Sequence, residues 1–219
     1  MNIKVCGITD LKQMQELDAM GIDYVGLNFY SESPRYVVGR ISGDEVKEGE
    51  FGIRKVGVFV NADADTILRF VDEYELDVVQ LHGEESPLVC RQLSEHTEVI
   101  KVFRVNDEAS NIEDAIAKYD DACDYYLFDT GGYLSPLAGS RETNPGGTGK
   151  QFDWNMLLGL RIEKPFFLAG GIGLPDVVKL NTFDHPDLFA VDINSRFEIS
   201  PGIKDLEMVK MFAQVLKGG

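Results

Sequence analysis

Short apolar runs, rich in β-branched and aromatic residues, recur along this chain and alternate with segments whose apolar positions have a helical spacing. A short, nearly continuous apolar run is typical of a parallel strand that helices cover on its outer face. Eight such runs are present, at residues 3–6, 24–29, 55–60, 78–81, 99–103, 125–128, 166–169 and 188–192. The pattern therefore predicts a parallel β-sheet whose strands alternate with helices.

The helical segments carry both a periodicity and end signals. Apolar residues stand at positions i, i+3, i+4 and i+7 in the segments that begin at Ile67 and Val209, so each segment predicts a helix with one buried face. Ser86 followed by Pro87 predicts a helix start, with a hydroxyl cap and a proline in the first turn. Gly21 marks the expected end of the first helix.

Eight β-α units without a break in composition predict a single domain over residues 1–219, a (β/α)8 TIM barrel of the α/β class. The alternative is a doubly wound open sheet. The barrel is favoured because eight strands close it, and because no G-x-G-x-x-G motif follows the first strand. Residues 131–149 carry six glycines and two prolines without a helical period, which predicts a long loop, either a lid over the mouth or a surface insertion.

Composition and charge narrow the class of function. Hydrophobic residues make up 44% and charged residues 26%, as in an ordinary soluble globular protein. The net charge of -16 argues against a nucleic-acid partner, because basic surfaces bind phosphate backbones. No apolar run approaches the ~18 residues of a membrane span, and no basic leader opens the chain, so we expect a cytoplasmic protein without a membrane partner. The three cysteines form no C-x-x-C pair, so neither a disulfide framework nor a zinc site is expected.

Ionisable side chains stand at the ends of several predicted strands. Cys6 ends the first strand, Asp129 follows the sixth and Asp192 ends the eighth, while Arg35 lies in a turn after the second. Because the C-terminal strand ends form the active face of an α/β barrel, we expect these groups to share one mouth. An acid paired with a base suits an isomerisation, and a guanidinium suits a carboxylate. The alternatives are a buried structural thiol, a turn-capping aspartate and a solvated arginine.

Glycine and hydroxyl groups follow the last two predicted strands. Gly170 and Gly171 come after the seventh, and Ser195 and Arg196 come after the eighth. Barrels often bind phosphate in these two loops, because glycine lets backbone N–H groups approach an anion closely. A Gly-Gly pair is equally at home in any tight turn. The position of both loops favours a phosphorylated small molecule as the ligand.

Seven segments, taken in order, resemble the phosphoribosylanthranilate isomerase family of tryptophan biosynthesis. Each segment alone is a weak signal, but together they span residues 4–205. They are Lys4-Val5-Cys6-Gly7-Ile8-Thr9, Ser33-Pro34-Arg35, Val56-Gly57-Val58-Phe59, Gln80-Leu81-His82-Gly83-Glu84, Gly146-Gly147-Thr148-Gly149 with Phe152-Asp153-Trp154, Leu168-Ala169-Gly170-Gly171, and Pro201-Gly202-Ile203-Lys204-Asp205.

The resemblance implies an Amadori rearrangement of a phosphorylated ribosylamine, with no cofactor and no metal. It implies that Asp129 is the general acid that opens the sugar ring and that Cys6 is the general base that removes the C2 proton. Arg35 would hold the anthranilate carboxylate, and Asp192 would help to orient the substrate. His82 belongs to a matching segment but has no acid or base role in the family, so a structural or loop-orienting role is expected.

The resemblance also places Gly147 and Gly149, together with the two loops after the last strands, among the substrate-binding groups. One position departs from the family pattern, because Arg196 stands where the family usually has glycine. If that position needs a positive φ, arginine is strained there. Alternatively, any residue fits the loop and the guanidinium adds a phosphate contact. We expect phosphate binding to be retained.

Two other functions stay open at this point. The histidine-pathway sugar isomerase performs the same rearrangement on a related barrel, but it uses a pair of aspartates, and Cys6 argues against it. A barrel that binds a phosphorylated ligand without converting it is the alternative outside the enzymes. A monomer is favoured over a homodimer, because no extra hydrophobic segment extends the barrel.

Overall fold

The computed structural model describes residues 1–105, 112–130 and 151–218 and shows eight parallel strands closed into a barrel in chain order. The strands are β1 Asn2–Cys6, β2 Tyr24–Asn28, β3 Arg54–Phe59, β4 Val78–Leu81, β5 Glu98–Val105, β6 Tyr125–Thr130, β7 Phe166–Leu168 and β8 Leu188–Ile193. Every predicted strand is present, and its ends differ by at most two residues from the prediction. The barrel is confirmed and the doubly wound sheet is wrong, because β8 pairs with β1 and leaves no edge.

Helices follow the strands on the outside of the barrel. They are α1 Leu11–Ala19, α2 Gly43–Glu48, α3 Ala64–Tyr74, α4 Pro87–Ser94, α5 Ile112–Ala117, α6 Val177–Thr182 and α7 Leu206–Lys217, with 3-10 turns at Trp154–Gly159, Leu174–Asp176 and Ser195–Phe197. In the described part of the chain, the connection from β6 to β7 therefore holds a 3-10 turn where an α-helix was expected. The predicted loop over residues 131–149, with Gly147 and Gly149, lies outside the described residues.

The local signals explain where the helices begin and end. The Ser86 hydroxyl accepts a hydrogen bond from the Val89 N–H, and Pro87 occupies the first turn of α4. Gly21 has a φ of +73° directly after α1, a conformation that glycine adopts at little cost. The predicted apolar face of α7 is buried, at Val209, Phe212, Ala213 and Leu216. These expectations are confirmed.

A hairpin after β8 was not predicted. Strands β9 Glu198–Ser200 and β10 Ile203–Lys204 pair in antiparallel fashion, and Gly202 turns the chain between them with a φ of +90°. The strands are too short and too polar to stand out in an apolar pattern. This hairpin brings two charged side chains, Glu198 and Lys204, to the mouth of the barrel.

Alternation along each strand separates two kinds of buried residue. One set, which includes Ile3 and Val5, packs outward against the helices. The other set fills the barrel interior with Tyr24, Phe167, Leu127 and their neighbours. Towards the C-terminal strand ends, the inward positions become polar. The mouth of the barrel therefore carries polar and ionisable side chains, and the interior beneath it is apolar.

Candidate active site

A cleft opens at the C-terminal ends of the barrel strands. Seven of the residues predicted for the site line it: Cys6, Arg35, Asp129, Gly170, Gly171, Asp192 and Ser195. Other lining residues are Asn28, Ser33, Val58, Gln80, His82, Leu127, Ala169, Ile172 and Asn194. The shared mouth that was expected from strand ends is therefore present.

Cys6 is the last residue of β1 and lies beside Gly26 of β2. Strand alternation turns its side chain inward, and the Gly7 N–H that follows donates to the Gly26 carbonyl at 2.9 Å. The side chain is buried, yet it faces the cleft. Burial raises the pKa of the Cys6 thiol, and the nearby Lys4 ammonium is the largest influence that lowers it.

Lys4 is a fully buried cation inside the barrel. Its Nζ lies 3.1 Å and 3.0 Å from the two carboxylate oxygens of Asp192, which is its direct neighbour on β8. Burial alone would lower the pKa of Lys4, but Asp192 and Cys6 raise it, so the side chain stays charged. The carboxylate of Asp192 is therefore already paired with Lys4 inside the protein. The sequence did not predict this ion pair.

Asp129 lies near the end of β6, two positions after the inward-facing Leu127, and its carboxylate faces the cleft. The His82 Nε2 is 3.5 Å from its Oδ2. Because His82 follows Gln80 by two positions, the same alternation that points Gln80 inward points the imidazole at the mouth. His82 therefore directly neighbours the acid candidate, and its structural or loop-orienting role stays a prediction.

Arg35 reaches the cleft from the loop after β2. Its Nε and one Nη donate to the two carboxylate oxygens of Glu198 at 2.8 Å and 2.6 Å, a bidentate pair that fixes the plane of the guanidinium. Lys204 Nζ and the Gly202 N–H also donate to Glu198, at 2.8 Å and 3.0 Å. Burial would raise the pKa of Glu198, but these donors lower it to about 2.

Glu198 and Lys204 are residues beside the site that sequence reasoning did not single out. Lys204 belongs to one of the seven matching segments, and Glu198 follows Arg196 by two positions. Their joint role depends on the hairpin of β9 and β10, which the apolar pattern did not show.

The loop after β7 has the backbone geometry of a close approach. Gly170 and Gly171 have φ values of +93° and +62°. A Cβ on Gly170 would lie 2.2 Å from Thr130 Oγ1, so no larger residue fits. The Gln151 side chain donates to the Gly171 carbonyl at 2.9 Å and to Asp176 at 2.7 Å, which ties the loop to the 3-10 turn behind it.

Arg196 sits in the 3-10 turn after β8 and is exposed. The non-glycine residues with positive φ in the described part of the chain are Glu50, Asn61 and Glu75, so Arg196 is not in the left-handed region. Of the two alternatives for this departure from the family, the loop that any residue can adopt is correct.

Gln80 is a site residue that sequence reasoning did not single out. Its side chain is buried in the wall of the cleft. Among the described residues, no group hydrogen-bonds to its Oε1. A buried carbonyl oxygen without a donor costs free energy, so Gln80 places an unpaired polar group in the wall of the cleft.

Trp154 lies away from the candidate catalytic groups. It is fully buried against Lys179 and Phe183 and does not line the cleft. No group of three or more His, Cys, Asp or Glu side chains among the described residues is arranged to hold a metal ion. Within the same part of the chain, no helix is long and apolar enough to cross a membrane.

A protein-family model and known relatives match nearly the whole length of this chain. The family model described as N-(5'-phosphoribosyl)anthranilate (PRA) isomerase matches residues 3–215. The isomerase of Parabacteroides distasonis is 37% identical over 98% of this chain and 92% of its own length. That of Phocaeicola vulgatus is 37% identical over 99% of this chain and 98% of its own length.

Solved structures agree with the sequence relatives. The phosphoribosyl anthranilate isomerase of Thermotoga maritima superposes with a TM-score of 0.81 at 34% identity, with both chains fully covered. A second structure, of an isomerase in complex with reduced 1-(o-carboxyphenylamino)-1-deoxyribulose 5-phosphate, gives 0.77 at 31% identity, again over both full chains. The histidine-pathway alternative is therefore set aside. The chain belongs to the N-(5'-phosphoribosyl)anthranilate isomerase family, the isomerases of tryptophan biosynthesis.

Proposed function

We propose that this chain converts N-(5'-phosphoribosyl)anthranilate into 1-(2-carboxyphenylamino)-1-deoxyribulose 5-phosphate by an Amadori rearrangement, with Asp129 as the general acid and Cys6 as the general base. The observation that carries the proposal is the placement of both groups in one cleft, which also holds an oriented arginine and a glycine-rich loop. Acid and base catalysis each contribute about 10²- to 10⁴-fold in enzymes.

In the first step, Asp129 gives its proton to the ring oxygen of the ribosylamine. The bond from C1 to that oxygen breaks, and the lone pair of the aniline nitrogen forms the C1–N double bond of a Schiff base. The carboxylate that remains is next to His82, whose Nε2 lies 3.5 Å away. We assign His82 to orienting this carboxylate.

In the second step, the Cys6 thiolate takes the proton from C2. The electron pair of that bond forms the C1–C2 double bond, and the C1–N π pair returns to the nitrogen of the protonated Schiff base, which gives an enolamine. Its C2 hydroxyl then loses a proton while C1 takes one up, which gives the ketone. The step needs the thiolate, and burial raises the pKa of Cys6. Turnover should therefore rise with pH from neutral into the alkaline range for as long as this step limits the rate.

Binding uses the two ends of the cleft. Glu198 holds Arg35 in one plane, and the guanidinium in that orientation is suited to the anthranilate carboxylate. Gly170, Gly171 and Ser195 offer backbone N–H groups to the phosphate at the opposite loops. Asp192, in the wall of the cleft, would help to orient the substrate.

The remaining substrate contacts are assigned from chemistry. The Gln80 carbonyl oxygen would accept from a sugar hydroxyl, and Arg196 would add charge near the phosphate. Gly147 and Gly149 are retained as substrate-binding residues. A monomeric working form stays a prediction, since one related isomerase from Thermotoga maritima is described as dimeric.

The test is to generate the substrate beside the purified protein and to follow the loss of its anthranilate fluorescence. We expect rapid conversion by the wild-type protein and a loss of about 10²-fold or more in Cys6→Ser and in Asp129→Asn. Cys123→Ser is the matched control, because Cys123 is buried away from the cleft. Full turnover by either site variant would remove that residue from its role, and a wild-type protein that binds without converting would favour a ligand-binding barrel.

A further inference from the structure

A buried lysine inside a barrel requires an explanation, because removing an ammonium from water costs several kcal/mol. Lys4 is 0% exposed. It precedes Cys6 by two positions on β1, so both side chains point into the barrel at successive levels. Neither the general-acid step of Asp129 nor the general-base step of Cys6 by itself requires this residue.

The geometry puts the ammonium beside the sulfur. A Cβ placed on Gly26, the neighbour of Cys6 on β2, would lie 2.7 Å from Cys6 Sγ and 3.2 Å from Lys4 Nζ. The two atoms therefore flank the same point above the glycine backbone. A larger residue at position 26 would separate them.

Asp192 fixes the ammonium from the other side. Its two carboxylate oxygens take the Lys4 Nζ at 3.1 Å and 3.0 Å, and the residues are register partners on β1 and β8. A cation held by two bonds in a buried place has little freedom to move away from the sulfur.

We propose that Lys4 is a positioning residue for Cys6, in which its Asp192-bound ammonium stabilises the thiolate that accepts the C2 proton. This inference rests on the proposed function for the use of the thiolate, but the state of the thiol itself is measurable without substrate.

The charges around the sulfur agree in sign with this role. Burial raises the pKa of Cys6; Lys4 is the largest opposing influence, Asp192 raises the pKa, and Lys204 lowers it. Arg35 adds another positive charge from the loop after β2. Removal of Lys4 should therefore raise the pKa of the thiol.

The test is the rate at which iodoacetamide alkylates Cys6 in the ligand-free protein, followed across pH and resolved by residue with mass spectrometry. Only the thiolate reacts. The other two cysteines do not interfere, because burial raises the pKa of Cys90 to about 11 and that of Cys123 to about 12.

Lys4→Met should move the alkylation profile to higher pH and slow the reaction near pH 8 by about tenfold, the change that one pH unit produces. The double variant Lys4→Met/Asp192→Asn leaves no buried charge unpaired, and its profile should also move to higher pH, by less, because Lys4 lowers the pKa of Cys6 more than Asp192 raises it. Lys101→Met is the matched control: it removes another deeply buried lysine, and its charge is not among the causes that shift the Cys6 pKa. We expect its Cys6 profile to match the wild type.

An unchanged profile in Lys4→Met, or faster alkylation, would overturn the inference. If Lys4→Met does not fold, the double variant decides alone by the direction of its shift. A wild-type protein that fails to convert substrate while these shifts appear would reject the proposed function and leave the Lys4 effect on the thiol standing. In an active enzyme, Lys4→Met should lower kcat with little change in KM, and Lys4→Arg should recover part of it.

Discussion

Two buried lysine–carboxylate pairs in this protein have nearly the same local chemistry but serve different regions. Lys4 and Asp192 meet at 3.0 Å inside the barrel, with side chains 0% and 8% exposed. Lys101 and Glu85 meet at 2.9 Å on the outer side, with side chains 4% and 1% exposed. Burial and distance alone do not distinguish an ion pair in the active site from one in the scaffold.

The difference lies in what else each ammonium touches. Lys101 also donates to the backbone carbonyls of Leu81 and Gly83, at 3.2 Å and 2.7 Å, so it secures the loop after β4. Lys4 instead has a thiol as its further neighbour. A lysine satisfied by backbone carbonyls stabilises a loop, whereas one beside a titratable group changes the chemistry of that group.

The largest effect should come from breaking either pair. Lys4→Met and Lys101→Met each leave a carboxylate buried without its partner, so each should lower the free energy of unfolding by about 3–5 kcal/mol. Urea unfolding measures both. The double variants Lys4→Met/Asp192→Asn and Lys101→Met/Glu85→Gln should recover part of the loss, because no unpaired charge remains. A single variant as stable as the wild type would show that its pair is not buried in solution.

A third buried carboxylate, that of Glu198, should make the stability of the protein depend on pH. Burial would raise the pKa of Glu198, but hydrogen bonds from Arg35 and Lys204 lower it from the usual 4.5 to about 2. Because the folded-state pKa is the lower one, the stabilisation is complete above pH 4.5 and is lost as the pH falls towards 2.

The corresponding stabilisation is about 3 kcal/mol. Thermal unfolding of wild type and Glu198→Gln should differ most above pH 5 and converge near pH 2. A difference that does not depend on pH would contradict the assigned pKa. Since Glu198 also fixes Arg35, Glu198→Gln should raise KM about tenfold, the effect of losing one charge-assisted hydrogen bond of about 1.4 kcal/mol.

Gly26→Ala tests the close approach of the Cys6 sulfur and the Lys4 ammonium without removing a charge. The new Cβ would lie 2.7 Å from Cys6 Sγ and 3.2 Å from Lys4 Nζ, so we expect a loss of about 1–3 kcal/mol in stability from overpacking, together with lower turnover. Gly159→Ala is the control, since nothing lies within 4 Å of its Cβ position. Equal behaviour of the two variants would mean that the sulfur and the ammonium have room to move apart.

The smallest effect belongs to an exposed charge. Arg196→Ala should raise KM a few-fold and leave kcat nearly unchanged, because solvent screens a surface guanidinium and its contribution to phosphate binding is about 1 kcal/mol or less. Steady-state kinetics give the split. A fall in kcat larger than the rise in KM would place Arg196 in the chemical step rather than in phosphate binding.

The strands, the barrel and the shared mouth could be predicted because each rests on local pattern plus one closure rule. Cys6, Asp129 and Asp192 stand at strand ends in the sequence, and parallel strands bring such ends together. The contacts between them could not be predicted. Whether Lys4 meets Asp192, or His82 meets Asp129, depends on the stagger between strands far apart in the chain, which the apolar pattern does not specify.

By itself, the sequence determined the order of the barrel strands, the helix ends at Ser86 and Gly21, the barrel and the identity of several groups at its mouth, because these follow from periodicity and from side-chain chemistry. Only the tertiary structure decided which charge lies against which. It paired Arg35 with Glu198 through a hairpin too short to predict, and it placed the Lys4 ammonium beside the Cys6 sulfur through the missing side chain of Gly26. Both outcomes depend on distances between strands and loops, and those are set when the barrel closes.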